Sequence, residues 1–186
     1  MPVLTREGWV QAGLKILKSK GHEHLSILRV SDYLGVTRGS FYHHFKSLNE
    51  YVDAMIQNWE ARIVDQGFAQ ILLNQDDPQE DFQNLIAYIS MLSDTYDLMF
   101  RQWAASNAHV REHMERLDRK RLKEIVGILE RLSRDRAEAE KLGRLTFFAY
   151  MGSLHTFPHL SPQEQADAAQ DMLDVILRYL NARELT

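Results

Sequence analysis

Cysteine is absent from the 186 residues, which excludes a disulfide framework, a thiolate metal site and a cysteine nucleophile. No run approaches the ~18 uninterrupted apolar residues of a membrane span. The opening Met1-Pro2-Val3-Leu4-Thr5 also lacks the basic-then-apolar order of an export signal, so a cytoplasmic protein is expected. Strand-like alternation, hairpin turn pairs, internal repeats and low-complexity stretches are missing, and the expected fold class is all-α. A phosphate-binding glycine loop, a G-x-S-x-G elbow and a metalloprotease motif are missing too. Neither catalysis nor a cofactor is therefore expected.

Strong overall charge is lacking as well, the formal value being −4, but the charge is unevenly placed. Residues 1–50 hold seven Lys/Arg against four Asp/Glu, and residues 51–186 hold fifteen against twenty-two. The first fifty are +3 and the remainder −7, which suits a molecule that meets phosphates at one end, because local charge governs field and counterion release.

What is present centres on residues 26–44, SILRVSDYLGVTRGSFYHH. Ser26 is placed to cap a helix carrying Ile27, Val30 and Leu34 on one face. Gly35 ends it, and Thr37 is expected to cap a second helix two residues later. Val36, Phe41 and Phe45 face inward, which leaves Thr37, Arg38, Ser40, Tyr42 and His43 as a polar surface. A helix fits the ~12 Å major groove of B-DNA, and residues near the start of a recognition helix reach the base edges, with Arg38 suited to guanine.

The run Gly35-Val36-Thr37-Arg38-Gly39-Ser40-Phe41-Tyr42-His43-His44-Phe45, followed by Lys46-Ser47-Leu48-Asn49-Glu50, resembles the DNA-binding segment of tetracycline-repressor (TetR) family regulators. The resemblance covers about Thr5 to Ala54. It departs at Ser31 and Leu34, where the family usually has small residues, and at Leu48, where it usually has a lysine that contacts phosphate. It implies a three-helix helix-turn-helix domain at residues 1–50, and a helical ligand-binding and dimerisation domain at residues 51–186. The implied function is that of a repressor released from its double-stranded DNA operator by a small molecule. The alternative is a helical dimer that binds a ligand or partner and no longer reads DNA.

About nine helices are expected. Thr5 starts one that Gly21 stops. Ser47-Leu48-Asn49-Glu50 is a capping box that opens a long connecting helix through Tyr51, Val52, Met55, Ile56, Trp59, Ile63, Phe68, Ile71 and Leu72. Asp77-Pro78-Gln79-Glu80 and Ser161-Pro162-Gln163-Glu164 mark two further starts, each with proline at the first helical position. The remaining segments run from about Tyr96 to Ala105, His109 to Leu132 and Arg136 to Thr156.

By resemblance and geometry, Thr37, Arg38, Ser40 and His43 are the base-reading candidates, with Gly39 between them. Ser26, Tyr42, Lys46 and the backbone at Ser47 are the phosphate-side candidates. His43 and His44 point roughly 100° apart, and His44 is taken as the structural one. One head reads too short a site, so a homodimer is expected, with an interface on Leu145, Ala149, Gly152, Leu173, Ile176 and Leu180. A ligand pocket is expected among Tyr88, Tyr96, Phe100, Trp103, Phe147, Tyr150 and His155. His109 and His113 lie four apart without the H-E-x-x-H glutamate, and isolated histidine pairs are usually solvated, so no metal is expected.

Overall fold

The computed structural model describes residues 4–62, 77–91, 95–156 and 158–184. Among the described residues there is no strand and there are nine α-helices. They are α1 (Arg6–Lys20), α2 (Ile27–Leu34), α3 (Arg38–Tyr42), α4 (Leu48–Glu60), α5 (Pro78–Met91), α6 (Thr95–Ser106), α7 (Ala108–Ser133), α8 (Arg136–His155) and α9 (Pro162–Glu184). The chain forms two compact units, Met1–Val64 with Asp94–Arg116, and Asp65–Ser93 with Leu117–Thr186. The longer connecting helix expected through Ile63, Phe68, Ile71 and Leu72 lies outside the described residues beyond position 62.

In the first unit, the Thr5 hydroxyl accepts from the Gly8 N–H at 3.1 Å and opens α1. Gly21, at φ 82°, ends it. One face of α1 buries Trp9, Leu14, Ile16 and Leu17. Gly13 lies where α1 meets α4: a Cβ there would stand 2.2 Å from Tyr51 Oη, so only glycine lets the two helices approach this closely. The Tyr51 hydroxyl donates to the Trp9 carbonyl at 2.6 Å, and burial pushes its pKa well above the ordinary phenol value. At the start of α4, Ser47 Oγ accepts from the Glu50 N–H at 3.1 Å, while Glu50 Oε2 accepts from the Lys46 N–H at 2.8 Å. Asn107, at the end of α6, caps α7 by accepting from the Val110 N–H at 3.0 Å.

In the second unit, Phe82, Leu85 and Ile86 of α5 share a core with Ile125, Ile128 and Leu129 of α7, Leu142 and Phe147 of α8, and Leu173 and Ile176 of α9. Side-chain caps fix its helix starts, Asp77 at α5 among them. Asp135 Oδ1 accepts from the Ala137 and Glu138 N–H groups at 2.9 and 3.2 Å. Ser161 and Glu164 form the reciprocal box, with Ser161 N–H to Glu164 Oε2 at 2.8 Å and Glu164 N–H to Ser161 Oγ at 3.3 Å. Gly143 allows α8 to lie close on α7, since a Cβ there would stand 2.6 Å from Val126 Cγ2. Asp81, fully buried, accepts from Arg131 at 2.5 Å.

Candidate nucleic-acid interface

One residue, Gly35, ends α2 just before α3 begins. Gly35 has φ 66° and ψ 31°, the left-handed conformation that costs other residues steric energy, and its N–H returns to Asp32 O. The Ser26 hydroxyl accepts from the Arg29 N–H at 3.3 Å, so it is engaged as a helix cap. The Ser31 hydroxyl, buried, donates to Ile27 O at 2.7 Å, which disposes of a polar atom inside the corner.

The orientation of α3 is set by aromatic packing. Phe41 and Phe45 are buried. The Phe41 ring meets Trp9 edge-on at 5.4 Å and Tyr51 at 5.5 Å, and Phe45 meets Tyr51 at 4.9 Å. The Arg6 guanidinium lies 4.7 Å over the Phe45 ring. With that face fixed, Thr37, Arg38, Gly39, Tyr42, His43, Lys46 and Ser47 are exposed and Ser40 is half-buried. Tyr42 is 58 % exposed despite its edge contact with Phe41. His44 is half-buried, its ring 6.4 Å from that of Trp9.

Thr37 departs from expectation. It stands at the N-cap of α3, but its hydroxyl caps nothing, because the first turn closes through the backbone instead, with the Ser40 N–H on Thr37 O at 3.0 Å. Thr37 itself is exposed. The ridge thus offers a guanidinium, hydroxyls, a phenol, an imidazole and an ammonium over two turns, a set of donors and acceptors matched to base edges and phosphates. The Ser47 hydroxyl is occupied by the α4 cap.

The other predicted sets fare differently. Tyr96, Phe100 and Trp103 fall in the first unit, and Tyr88, Phe147, Tyr150 and His155 in the second. Phe100 packs on Trp59 at 5.1 Å, and Trp103 stacks on His22 at 5.7 Å. Tyr96 carries the Lys18 ammonium 5.6 Å over its ring. Phe147 and Tyr150 are buried, Tyr88 packs against the core of its unit, and His155 is exposed.

Of the dimer residues, Leu173 and Ile176 are 4 % and 5 % exposed and belong to the core. Both lie on the inward stripe of α9, and Ile176 also lines the groove between α8 and α9. The outward apolar face of α8 and α9 is carried by Leu145 at 57 %, Phe148 at 62 % and Val175 at 66 %, with Ala149 and Gly152 exposed beside them and Leu180 half-buried. Leu145, Ala149, Met172, Val175 and Tyr179 line an open apolar groove of about 540 Å³.

The histidine pair set aside as solvated is also corrected. His113 is 8 % exposed and, with His109, meets Asp53 of α4. Nothing in the sequence marks Asp53, since a single acid on an amphipathic helix carries no partner information across 56 positions.

Residues 10–55 match the profile of bacterial regulatory proteins of the tetR family. The transcriptional regulator AcuR of Cereibacter sphaeroides is 31 % identical over 68 residues, which is 35 % of this chain and 31 % of AcuR. The match thus spans about a third of that relative. Among solved structures, a regulator of the TerR/AcrR family from Aquifex aeolicus is similar at TM-score 0.74 and 16 % identity, over 92 % of this chain and 98 % of that one. A transcriptional regulator from Rhodococcus sp. is similar at 0.73 and 17 %, over 94 % and 96 %. The TetR family regulator PfmR from Thermus thermophilus is similar at 0.67 and 19 %, over 91 % and 97 %. At these identities the likeness is one of fold.

Proposed function

We propose that this chain, whose residues 10–55 match the profile of bacterial regulatory proteins of the tetR family, is a DNA-binding transcriptional regulator acting as a homodimeric repressor that a small molecule releases from its operator. The observation that carries the reading is the outward polar ridge of α3, held by Phe41 and Phe45 behind it. In this reading Arg38, Ser40 and His43 read bases with Thr37. Tyr42 and Lys46, with the backbone at Ser26, Gly39 and Ser47, engage phosphate.

The proposed division of labour gives DNA to residues 1–50, and ligand binding and dimerisation to residues 51–186. For the dimer, the exposed apolar face on Leu145, Phe148, Ala149 and Val175 supports a four-helix contact made by α8 and α9 of two copies, because small residues let helices approach. For release, the ligand must favour an arrangement in which the two recognition helices no longer match successive turns of one duplex. Each ~1.4 kcal/mol of differential affinity shifts that balance tenfold.

Selection from random DNA tests the reading. The expected product is a site with two related halves whose centres lie about one helical turn, ~34–36 Å, or a multiple apart. Recovery of no enriched sequence would overturn it.

A further inference from the structure

We propose that Asp53, His109 and His113 form a site for one divalent first-row transition metal ion of the zinc class. All three residues lie in the compact unit that also contains α1 to α3.

His109 and His113 sit one turn apart near the start of α7, so their rings project from one face. Their centroids are 5.3 Å apart. Both Nε2 atoms converge on a single oxygen: Asp53 Oδ1 lies 2.7 Å from His109 Nε2 and 2.5 Å from His113 Nε2. One ligand atom from each residue falls within 4.8 Å of the others. Around an ion with bonds of about 2.0–2.2 Å, tetrahedral donors stand about 3.4 Å apart. The two hydrogen-bonded distances therefore need to open by less than about 1 Å for the ion to replace the protons between them. The site is partly closed, since His113 keeps 9 % of its side-chain surface while Asp53 and His109 keep 31 % and 32 %. That leaves one side for water or another exchangeable ligand, as three protein donors with an open fourth position allow. Two imidazoles and a carboxylate suit zinc, and equally accept cobalt as a probe.

One neighbour opposes the ion. An Arg116 guanidinium nitrogen hydrogen-bonds His113 Nδ1, which makes Nδ1 the acceptor and keeps the ring proton on Nε2. Metal on Nε2 requires the other tautomer, with the proton on Nδ1, where it would face a second donor. Exposed Arg116 must therefore swing away, and it acts as a positioning residue that weakens the site. A carboxylate in its place would accept the Nδ1–H and orient the ring as second partners of metal-bound histidines do, an effect of about 10- to 100-fold in affinity.

The experiment uses the full chain, stripped with a chelator and titrated with Co²⁺ by visible absorption, then with Zn²⁺ in competition. One ion per chain is expected. Binding should fall to background in His109→Ala and His113→Ala, remain in His155→Ala, and tighten about 10- to 100-fold in Arg116→Glu. A wild type that binds no stoichiometric ion, binding that survives His113→Ala, or an Arg116→Glu chain that binds no more tightly would each overturn the proposal. Because Arg116 is on the surface, its variant decides the matter even if removal of a histidine prevents folding.

Discussion

Arg38 and Tyr42 are exposed on a helix whose other face is filled by Phe41, so removing either side chain takes nothing from the core. Arg38→Ala is expected to cost about 1–3 kcal/mol of binding per half-site and to relax sequence preference there, with no change in thermal melting, measured on the selected operator. Gly13 has the opposite character. A methyl group there meets Tyr51 Oη at 2.2 Å, so Gly13→Ala should lower the melting temperature through about 1–3 kcal/mol of overpacking while leaving the ridge chemistry intact. The difference between these residues also marks what sequence can disclose. Arg38 and Phe41 were legible because outward and inward positions on a short helix follow from spacing. Gly13 was not, because its role depends on a tyrosine 38 positions away. The convergence of Asp53 with His109 and His113 was hidden for the same reason.

Helix starts were the most legible elements, because their hydrogen bonds are local: Ser26, Ser47, Asp77 and Ser161 all cap where their spacing predicts. Thr37 did not cap, since in a five-residue helix the backbone closed the first turn itself. The box at α9 makes a pH prediction. The Ser161 backbone N–H, followed by its side chain, holds the Glu164 carboxyl below the ordinary 4.5. A depressed folded-state pKa gives stability that is complete above about 4.5 and is lost as pH falls through the lower folded value. Protection of the Ser161 amide against hydrogen exchange should therefore drop below that pH in the wild type and show no such step in Glu164→Gln. The α8 and α9 stripes were legible as amphipathic, but not as to which side met what. Leu173 and Ile176 share the 3–4 spacing of an interface and of a core alike, and spacing alone does not show that they join the core cluster of Phe82 and Leu129.

For the whole molecule, the claim is that two copies present two ridges to one duplex. The outward face of α8 and α9 belongs to this scale, and Leu145→Glu with Val175→Glu is expected to give folded monomers by sedimentation, because both side chains are more than half exposed and can carry charge without entering the core. Persisting dimers would move the contact elsewhere. Among the described residues no helix is long and apolar enough to cross a membrane, and the basic excess is confined to the first fifty residues. The most direct measurement is therefore affinity for the selected operator as a function of salt, taken on the wild type and on Arg38→Ala. A DNA-reading dimer predicts tight binding whose logarithm falls linearly with the logarithm of salt, with a slope of about −0.9 per phosphate engaged, together with weaker binding in the variant. Weak, salt-insensitive binding that is the same in both proteins would contradict it.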